Sequence, residues 1–282
     1  MTLRDKMLAA MTEVNGELAE RQELVESIAI ALLTRSNLFI LGKPGQAKSH
    51  SINLFRQRIT GMRQFERQMS KQADEEQLFG RIDLSSLIPG SVPEAALADD
   101  PVYQNLKAEL DAQVCQLTGI GDVDGAFELL RKNTEKLNAY RAAFAALHPS
   151  EPTVQTAGKI PEADIVFLDE IFKANDGILN SLLAALNERR YTNEGHTYNI
   201  PVISFFTASN EIPNFADPHQ KSLEALYDRL QIKVVTEDIS DRGNRLALLR
   251  KKQSGSTGQI LSTITLDELL ALQKEGTSVT VP

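Results

Sequence analysis

One glycine-rich stretch decides the fold of this chain, and it reads Gly42-Lys43-Pro44-Gly45-Gln46-Ala47-Lys48-Ser49. It follows the apolar run Asn37–Leu41, which is typical of a buried strand in a parallel sheet. Ile52, Phe55 and Ile59 then recur at the spacing of a helix that buries one face. A turn of this kind presents backbone N–H groups to phosphate oxygens, and the positive end of the helix dipole adds to the attraction. The stretch therefore predicts a phosphate-binding loop in an α/β domain.

The stretch matches the Walker A pattern G-x-x-x-x-G-K-[ST] at all positions except one. Ala47 stands where the pattern has its second glycine, and an alanine costs little there if that residue is already helical. Lys48 is expected to reach the β- and γ-phosphates of a nucleotide, and Ser49 to offer its hydroxyl to Mg²⁺. The alternative is a plain loop between a strand and a helix, which the Lys-Ser pair at the required offset disfavours. All eight residues of Gly42–Ser49 are thus expected to bind ATP, with Mg²⁺ as the second cofactor.

A second apolar run delivers two carboxylates to the end of a predicted strand. Ile165–Leu168 is followed directly by Asp169 and Glu170, which is the arrangement of a Walker B motif. Asp169 is expected to hold Mg²⁺ through water, and Glu170 to orient or deprotonate the attacking water. Four apolar residues before Asp-Glu also occur by chance in many sheets, so this motif gains its weight from the phosphate loop. Together the two motifs predict ATP hydrolysis.

Two further residues are catalytic candidates. Asn210 follows the predicted strand Val202–Ala208, at the edge where parallel sheets place ligand groups, and its amide is suited to positioning the lytic water. The alternative is that Asn210 caps the turn before Pro213. Arg229 is a candidate for stabilising charge on the transferring phosphoryl group. Residue types alone favour an ordinary surface pair of Arg229 with Asp228.

The order of predicted elements indicates the fold class. Ile232–Val235 adds a fourth predicted strand, and helical patterns separate the strands. This alternation predicts a parallel β-sheet flanked by helices, the P-loop NTPase type of α/β fold. Tyr191–Ile200 is predicted to form a short hairpin, because Asn193-Glu194-Gly195 interrupts it with turn residues.

The domain organisation follows from changes in pattern. Loop residues at Ile88–Pro93 are followed by two helical stripes, so we interpret residues 81–160 as a helical hairpin inserted into an α/β core of residues 1–240. Residues 241–282 have helical patterns without a finishing element. We interpret them as the beginning of a helical lid, in a chain that is a fragment of a longer protein.

Composition limits the partners and the compartment. The chain has 282 residues, 42% of them hydrophobic, and a net charge of −8, so no global positive field attracts nucleic acid or an anionic membrane. Cys115 is the single cysteine, which excludes an internal disulfide and fits a reducing cytosol. The longest apolar stretch, Ile28–Leu33, is too short to span a bilayer. The expected location is the cytoplasm.

Five motifs follow one another along the chain, namely G-x-P-G-x-A-K-S, V-F-L-D-E, L-N-E-R, A-S-N-E and L-Y-D-R. This ordered set resembles the MoxR group of AAA+ ATPases over roughly Glu23–Val235, and Ser222–Leu230 looks like the RavA branch. The resemblance implies a ring, usually a hexamer, with ATP bound between subunits. By the same match, Asn210 corresponds to sensor 1 and Arg229 to an arginine finger that a neighbouring subunit supplies.

The favoured function is a MoxR-type ATPase that couples Mg-ATP hydrolysis to remodelling or maturation of a protein partner, in the manner of a chaperone. The resemblance suggests a partner with a von Willebrand factor A domain. A nucleic-acid-handling AAA+ motor is one alternative, and the net charge argues against it. A nucleotide-gated assembly scaffold with little hydrolysis is another, and the intact Glu170 disfavours it.

Overall fold

A computed structural model describes residues 2–82, 97, 100–119, 122–147, 154–193, 196–218, 220–254 and 260–278 of the chain. It divides into two compact units, a larger one of residues 1–80 with 156–282 and a smaller one of residues 81–155. The predicted loop at Ile88–Pro93 lies outside the described residues, and so does the turn Glu194-Gly195 of the predicted hairpin.

The helices and strands follow in chain order as α1 (Leu3–Glu17), α2 (Gln22–Thr34), β1 (Leu38–Leu41), α3 (Lys48–Arg58), β2 (Ile59–Thr60), β3 (Gln64–Gln68), α4 (Glu75–Phe79), β4 (Arg81–Ile82), α5 (Pro101–Gly119), α6 (Val123–Leu147), β5 (Val154–Gln155), β6 (Ile165–Asp169), α7 (Asp176–Glu188), β7 (Arg190–Asn193), β8 (His196–Asn199), β9 (Ser204–Ser209), α8 (Ser222–Asp228), β10 (Ile232–Val235), α9 (Arg242–Ser254), β11 (Ile264–Thr265) and α10 (Leu266–Gly276).

A five-stranded sheet in the order β10-β1-β9-β6-β3 forms the centre of the larger unit, and all four pairings are parallel. The predicted α/β fold with a parallel sheet is therefore confirmed. The predicted hairpin forms as well, because β7 and β8 pair antiparallel from Arg190 opposite Asn199 to Asn193 opposite His196.

Helices cover both faces of this sheet. In β6 the side chains alternate, as strand geometry requires. Ile165 and Phe167 join a core cluster that also holds residues of α1, α2, α3 and α10. Val166 and Leu168 join a second cluster with residues of α4, α7 and α8. Burial on both faces explains why the central strands read as continuous apolar runs.

Strand β3 at the edge of the sheet was not among the predicted strands. Its sequence Gln-Phe-Glu-Arg-Gln contains one buried residue, Phe65, and the other side chains are partly or fully exposed. An edge strand with so little apolar content gives almost no signal in the sequence. Its pairing matters for the site, because it sets Gln68 opposite Asp169.

The segment from residue 260 packs within the larger unit, against its N-terminal helices. β11 pairs with β2 in parallel, and Leu269 of α10 is fully buried in the cluster shared with α1 and α2. Gln273 Nε2 donates a 2.6 Å hydrogen bond to the Leu32 carbonyl oxygen, and Lys6 forms an ion pair with Glu268. The division at residue 240 into a core and a lid stays a prediction.

The smaller unit contains the two helices α5 and α6 and the antiparallel pair of β4 and β5. Asn133 Nδ2 donates to the Leu110 carbonyl oxygen at 3.1 Å, and this bond joins the two helices. Among the described parts of both units, no helix has the length and apolar character needed to cross a membrane.

Candidate functional site

The glycine-rich loop lies at the carboxyl edge of the sheet. β1 ends at Leu41, and the N–H of Gly42 donates to the Ser209 carbonyl oxygen of β9 at 3.0 Å. Gly45 has φ +84°, a conformation that favours glycine, and α3 begins at Lys48. The loop therefore joins a central strand to a helix N-terminus, which is the arrangement that binds phosphate groups.

Ala47, the residue before α3, is not in the right-handed helical conformation. Its φ is 61° and its ψ is 22°, which is the left-handed region. The condition under which the alanine was expected to cost little is thus not met, because a side chain in this region clashes with the following carbonyl. The strain explains why the Walker A pattern has a glycine at this position.

Glycine is required at position 42 because the segment after β10 passes close to its Cα atom. A Cβ atom on residue 42 would lie 1.9 Å from Thr236 Oγ1 and 2.4 Å from Gln46 Oε1. Both distances are far inside van der Waals contact. Only glycine fits at this position without a shift of the neighbouring side chains.

The two predicted motifs meet in one cleft of about 380 Å³. Its lining residues are Pro44, Gly45, Gln46, Ala47, Lys48, Ser49, His50, Gln68, Asp169 and Glu170. Because β1 and β6 end at the same edge of a parallel sheet, the loop after β1 and the carboxylates after β6 come together. The cleft joins an ammonium, a hydroxyl and two carboxylates at the start of a helix.

Lys48 and Ser49 face this cleft from the first turn of α3. Lys48 is largely buried, and its Nζ donates to the Gly42 carbonyl oxygen and lies 3.5 Å from that of Lys43. Ser49 and Asp169 offer a hydroxyl and a carboxylate to the same space. Mg²⁺ prefers oxygen ligands of this kind, together with phosphate oxygens, so the donor set fits the expected ion.

Glu170 has an unusual environment. It is 8% exposed, its φ is 53°, and its backbone N–H donates to Asp169 Oδ1 at 3.0 Å. Within the described residues, its buried Oε2 accepts no hydrogen bond, although Lys173 Nζ lies 3.4 Å away. A strained backbone and a buried carboxylate oxygen that has an ion pair but no hydrogen bond both cost free energy, and such costs concentrate at functional sites.

Asn210 and Arg229 lie apart from this cleft. Asn210 follows β9 and lines an adjacent cavity of about 690 Å³, which Gly42 and Lys43 also line. Arg229 lies at the end of α8, where its Nη1 donates to the Ala225 carbonyl oxygen at 2.6 Å. Its Nε is buried and makes no hydrogen bond to the described residues. One chain thus assembles the two motifs, with Asn210 beside them and Arg229 elsewhere.

Sequence reasoning missed the residues that hold the phosphate loop in place. Gln46 is held on three sides: Arg21 Nε donates to its carbonyl oxygen at 3.2 Å, Thr236 Oγ1 donates to its Oε1 at 2.8 Å, and its Nε2 donates to Asp238 Oδ1 at 3.1 Å. Hydrogen bonds from Gln46 and then Lys43 lower the pKa of Asp238 below its usual value. The position of Thr236 and Asp238 directly after a strand of the sheet is the signal that could have found them.

Comparison with known proteins places these features in a family. The model of the family described as the MoxR domain in MoxR-vWA-beta-propeller ternary systems matches residues 5–98 and 127–274. Two uncharacterized proteins of Methanocaldococcus jannaschii are each 26% identical over 269 residues, which is 95% of this chain and 53% and 54% of theirs. The chain therefore spans about half the length of the curated relatives it matches.

Two other matches are more distant. A structural protein of Acidianus two-tailed virus is 29% identical over 126 residues, covering 43% of this chain and 20% of its own length. A crystal structure of a presumed ATPase from Cytophaga hutchinsonii superposes with a TM-score of 0.62 at 14% identity, over 99% of this chain and 65% of the other. The structural likeness supports the fold.

Proposed function

This chain belongs to the MoxR family of AAA+ ATPases, and we propose from this premise that it binds and hydrolyses Mg-ATP between its phosphate loop and Asp169-Glu170. One observation carries the proposal. Lys48 and Ser49 on α3 line the same cleft as Asp169 and Glu170 after β6, although the two pairs are far apart in the sequence. Each of these side chains has the chemistry that phosphoryl transfer requires.

The phosphate groups would be held mainly by the loop. Backbone N–H groups of Lys43 and of residues 45–49, at the N-terminus of α3, provide the donors, and Lys48 provides a positive charge for the β- and γ-phosphates. Ser49 and Asp169 would hold Mg²⁺, which withdraws charge from the phosphate oxygens when bound. Gln46, which is hydrogen-bonded to Arg21, Thr236 and Asp238, ties this loop to the segments before α2 and after β10.

Glu170 is the proposed base for the attacking water. Its buried carboxylate oxygen without a hydrogen-bond donor can accept a proton or orient a water molecule. Asn210 lies at the same edge of the sheet and is proposed to position that water, as sensor 1 does in the family that the motifs resemble.

We further propose that the site is completed by a second subunit in a ring, with six subunits as the expected number. Arg229 does not line the cleft of its own chain, so a role as arginine finger requires a neighbour. Lys233 Nζ lies 4.5 Å from the ring centroid of Tyr227, next to this region, and contributes a second positive charge there.

The proposed client is a protein with a von Willebrand factor A domain, which the ATPase would remodel or mature as a chaperone. The family description names such a domain and a β-propeller as companions of its MoxR domain. Placement in the RavA-like branch rests on Ser222–Leu230 alone. The cytoplasm is the proposed compartment, because one cysteine in 282 residues fits a reducing environment.

Substitution of Glu170 by glutamine tests the proposed chemistry. Glu170→Gln is expected to retain ATP affinity and to lose at least about 99% of turnover, because removal of a general base or a water-orienting group costs two orders of magnitude or more. Glu26→Gln, an exposed position on α2, is the control and should match the unchanged protein. Full turnover by Glu170→Gln would overturn the assignment.

A mixing experiment tests the shared site. Glu170→Gln and Arg229→Ala should each be inactive alone, and an equal mixture should recover part of the activity. In the mixture, a site with an intact Glu170 can receive Arg229 from its neighbour. No recovery in a mixture shown to contain both variants in one ring would contradict a finger supplied in trans.

Two other outcomes would favour the alternative functions. DNA-stimulated turnover that falls steeply with salt would favour the nucleic-acid motor, and ATP-dependent assembly without turnover would favour the scaffold.

A further inference from the structure

Arg21, the last residue of the turn between α1 and α2, joins two parts of the site. It is 7% exposed, and its Nε donates to the Gln46 carbonyl oxygen of the phosphate loop at 3.2 Å. Its Nη2 donates to the Glu237 carbonyl oxygen, just after β10, at 2.8 Å. A buried guanidinium must satisfy its donors, so loss of either acceptor costs free energy. Arg21 therefore fixes the backbone of the loop.

Glu20, its neighbour, holds the beginning of α9. Its carboxylate accepts hydrogen bonds from the backbone N–H groups of Ser240 at 2.8 Å and Asp241 at 2.9 Å, and from Asn244 Nδ2 at 3.0 Å. The hydrogen bond from Asn244, followed by those from Ser240 and Asp241, lowers the pKa of Glu20 to about 2. Residues 241–250 are all exposed, so these hydrogen bonds, and no buried side chain of residues 241–250, hold the beginning of α9.

The backbone of this turn is strained. Glu20 has φ 54°, in the left-handed region that residues other than glycine adopt only at a cost. Such a conformation persists where the surroundings fix it from more than one side. Here the fixed points are the loop, through Arg21, and α9, through Glu20. A shift of either contact changes the conformation that the other contact depends on.

We propose that the Glu20-Arg21 turn couples the phosphate loop to α9, so that a change in the loop on nucleotide binding is transmitted to this helix. The role of the nucleotide as the trigger rests on the function proposed above. The coupling between the two segments does not depend on it and can be measured without nucleotide. Arg21 acts as a positioning residue through the Gln46 carbonyl, and Glu20 transmits its effect to α9. The coupling gives the ATP site a route to an exposed helix.

Hydrogen exchange measured by mass spectrometry tests the coupling in the absence of nucleotide. In Arg21→Gln, the rate of amide exchange is expected to rise about tenfold in residues 42–49 and also in residues 240–250. In Glu20→Gln, the exchange rate should rise in the same two segments. Arg4→Gln and Glu26→Gln, two exposed positions on α1 and α2, are the matched controls. Independent anchors would give a different result, with each variant affecting only the segment that it touches, and this outcome would overturn the proposal.

Loss of folding in one variant leaves the test decisive. Should Arg21→Gln lose its helical circular dichroism, Glu20→Gln decides alone, because its side chain is partly exposed and its removal is compatible with a folded core. Unchanged exchange in residues 42–49 of a folded Glu20→Gln variant contradicts the coupling. A rise in that segment, which Glu20 does not touch, supports it.

A second arm uses the non-hydrolysable ATP analogue AMP-PNP with Mg²⁺. In the unchanged protein, the analogue should protect residues 42–49 and residues 240–250. In Glu20→Gln it should protect residues 240–250 clearly less than in the unchanged protein, because the amide keeps only one of the two acceptor oxygens that hold the beginning of α9. Full protection of both segments in Glu20→Gln would refute the coupling and leave ATP binding intact. Protection of neither segment in the unchanged protein would refute nucleotide binding, and the nucleotide-free arm would still decide the coupling.

Discussion

Arg189 Nη2 donates a 2.8 Å hydrogen bond to Oδ1 of Asn37, the residue that precedes β1. Asn37 is completely buried, and its Nδ2 donates onward to the carbonyl oxygens of Leu186 at 3.2 Å and Arg229 at 3.1 Å. One amide thus joins the strand before the phosphate loop to the end of α7 and to the end of α8. Burial lowers the pKa of Arg189 to about 10, so the guanidinium stays charged at neutral pH.

Substitution of Asn37 is expected to destabilise the fold strongly. Asn37→Ala removes the donor to the carbonyl oxygens of Leu186 and Arg229 and one acceptor of the half-buried Arg189 guanidinium, at about 1–3 kcal/mol for each group left unsatisfied. We expect the free energy of unfolding in urea to fall by about 3 kcal/mol. Asn187→Ala, an exposed position on α7, is the control and should change it by less than about 0.5 kcal/mol. Equal losses in the two variants would contradict the role of Asn37.

A glycine at position 47 should stabilise the chain. Ala47→Gly removes a left-handed strain of about 1–2 kcal/mol, whereas the greater freedom of the unfolded chain costs about 0.4–1 kcal/mol, so a net gain of between about 0 and 1.6 kcal/mol is expected. Thermal unfolding measures the gain as a higher midpoint. The same substitution at Ala142, in the interior of α6, should lower stability by about 1 kcal/mol. A loss of stability in Ala47→Gly would show that the alanine is not strained.

Arg58 supports the packing of α1 against α3. Its buried side chain pairs with Glu17 at 2.7 Å and Glu13 at 3.3 Å. Arg58→Met leaves both carboxylates without their partner, and we expect a loss of about 3 kcal/mol in the free energy of unfolding at pH 7. Arg56→Met, two residues earlier on α3, should have little effect. A loss in Arg58→Met no larger than that in Arg56→Met would argue against this explanation.

The protein should lose stability as the pH falls from about 4.5 towards 2, in part because Glu20 is protonated over this range. Its pKa is about 2 in the folded chain against an ordinary value of 4.5, so the unfolded chain binds more protons between these values. The contribution of Glu20 is therefore complete above about pH 4.5 and is lost as the pH falls towards 2. Urea unfolding at a series of pH values should show a shallower decline for Glu20→Gln than for Glu26→Gln. Identical slopes would contradict the contribution of the Glu20 hydrogen bonds to Ser240, Asp241 and Asn244.

The sequence predicts the central fold because burial on both faces makes β1, β6 and β9 apolar. It predicts the two motifs because phosphate binding constrains residue types at fixed spacing. Strand β3 was not readable, since one buried phenylalanine in five residues does not distinguish an edge strand from a loop. Its carboxyl end nevertheless brings Gln68 into the cleft.

Contacts between distant segments account for the rest. Arg21 and Asp238 look like ordinary charged surface residues in the sequence, and only the fold brings both to Gln46. The sequence predicts Asn37 only as the first residue of a strand, whereas its buried side chain forms hydrogen bonds with Leu186 and Arg189. The left-handed conformation of Ala47 depends on how the loop closes on α3, which no local propensity specifies.

The paired strands β4 and β5 have a practical consequence. Arg81 lies opposite Gln155 and Ile82 opposite Val154, so the chain leaves for the insertion and returns from it at adjacent positions. A two-residue turn such as Asn-Gly closes an antiparallel pair of this kind. Residues 83–153 can therefore be treated as one exchangeable segment, to be excised or replaced by that of a relative while the candidate cleft keeps its lining residues.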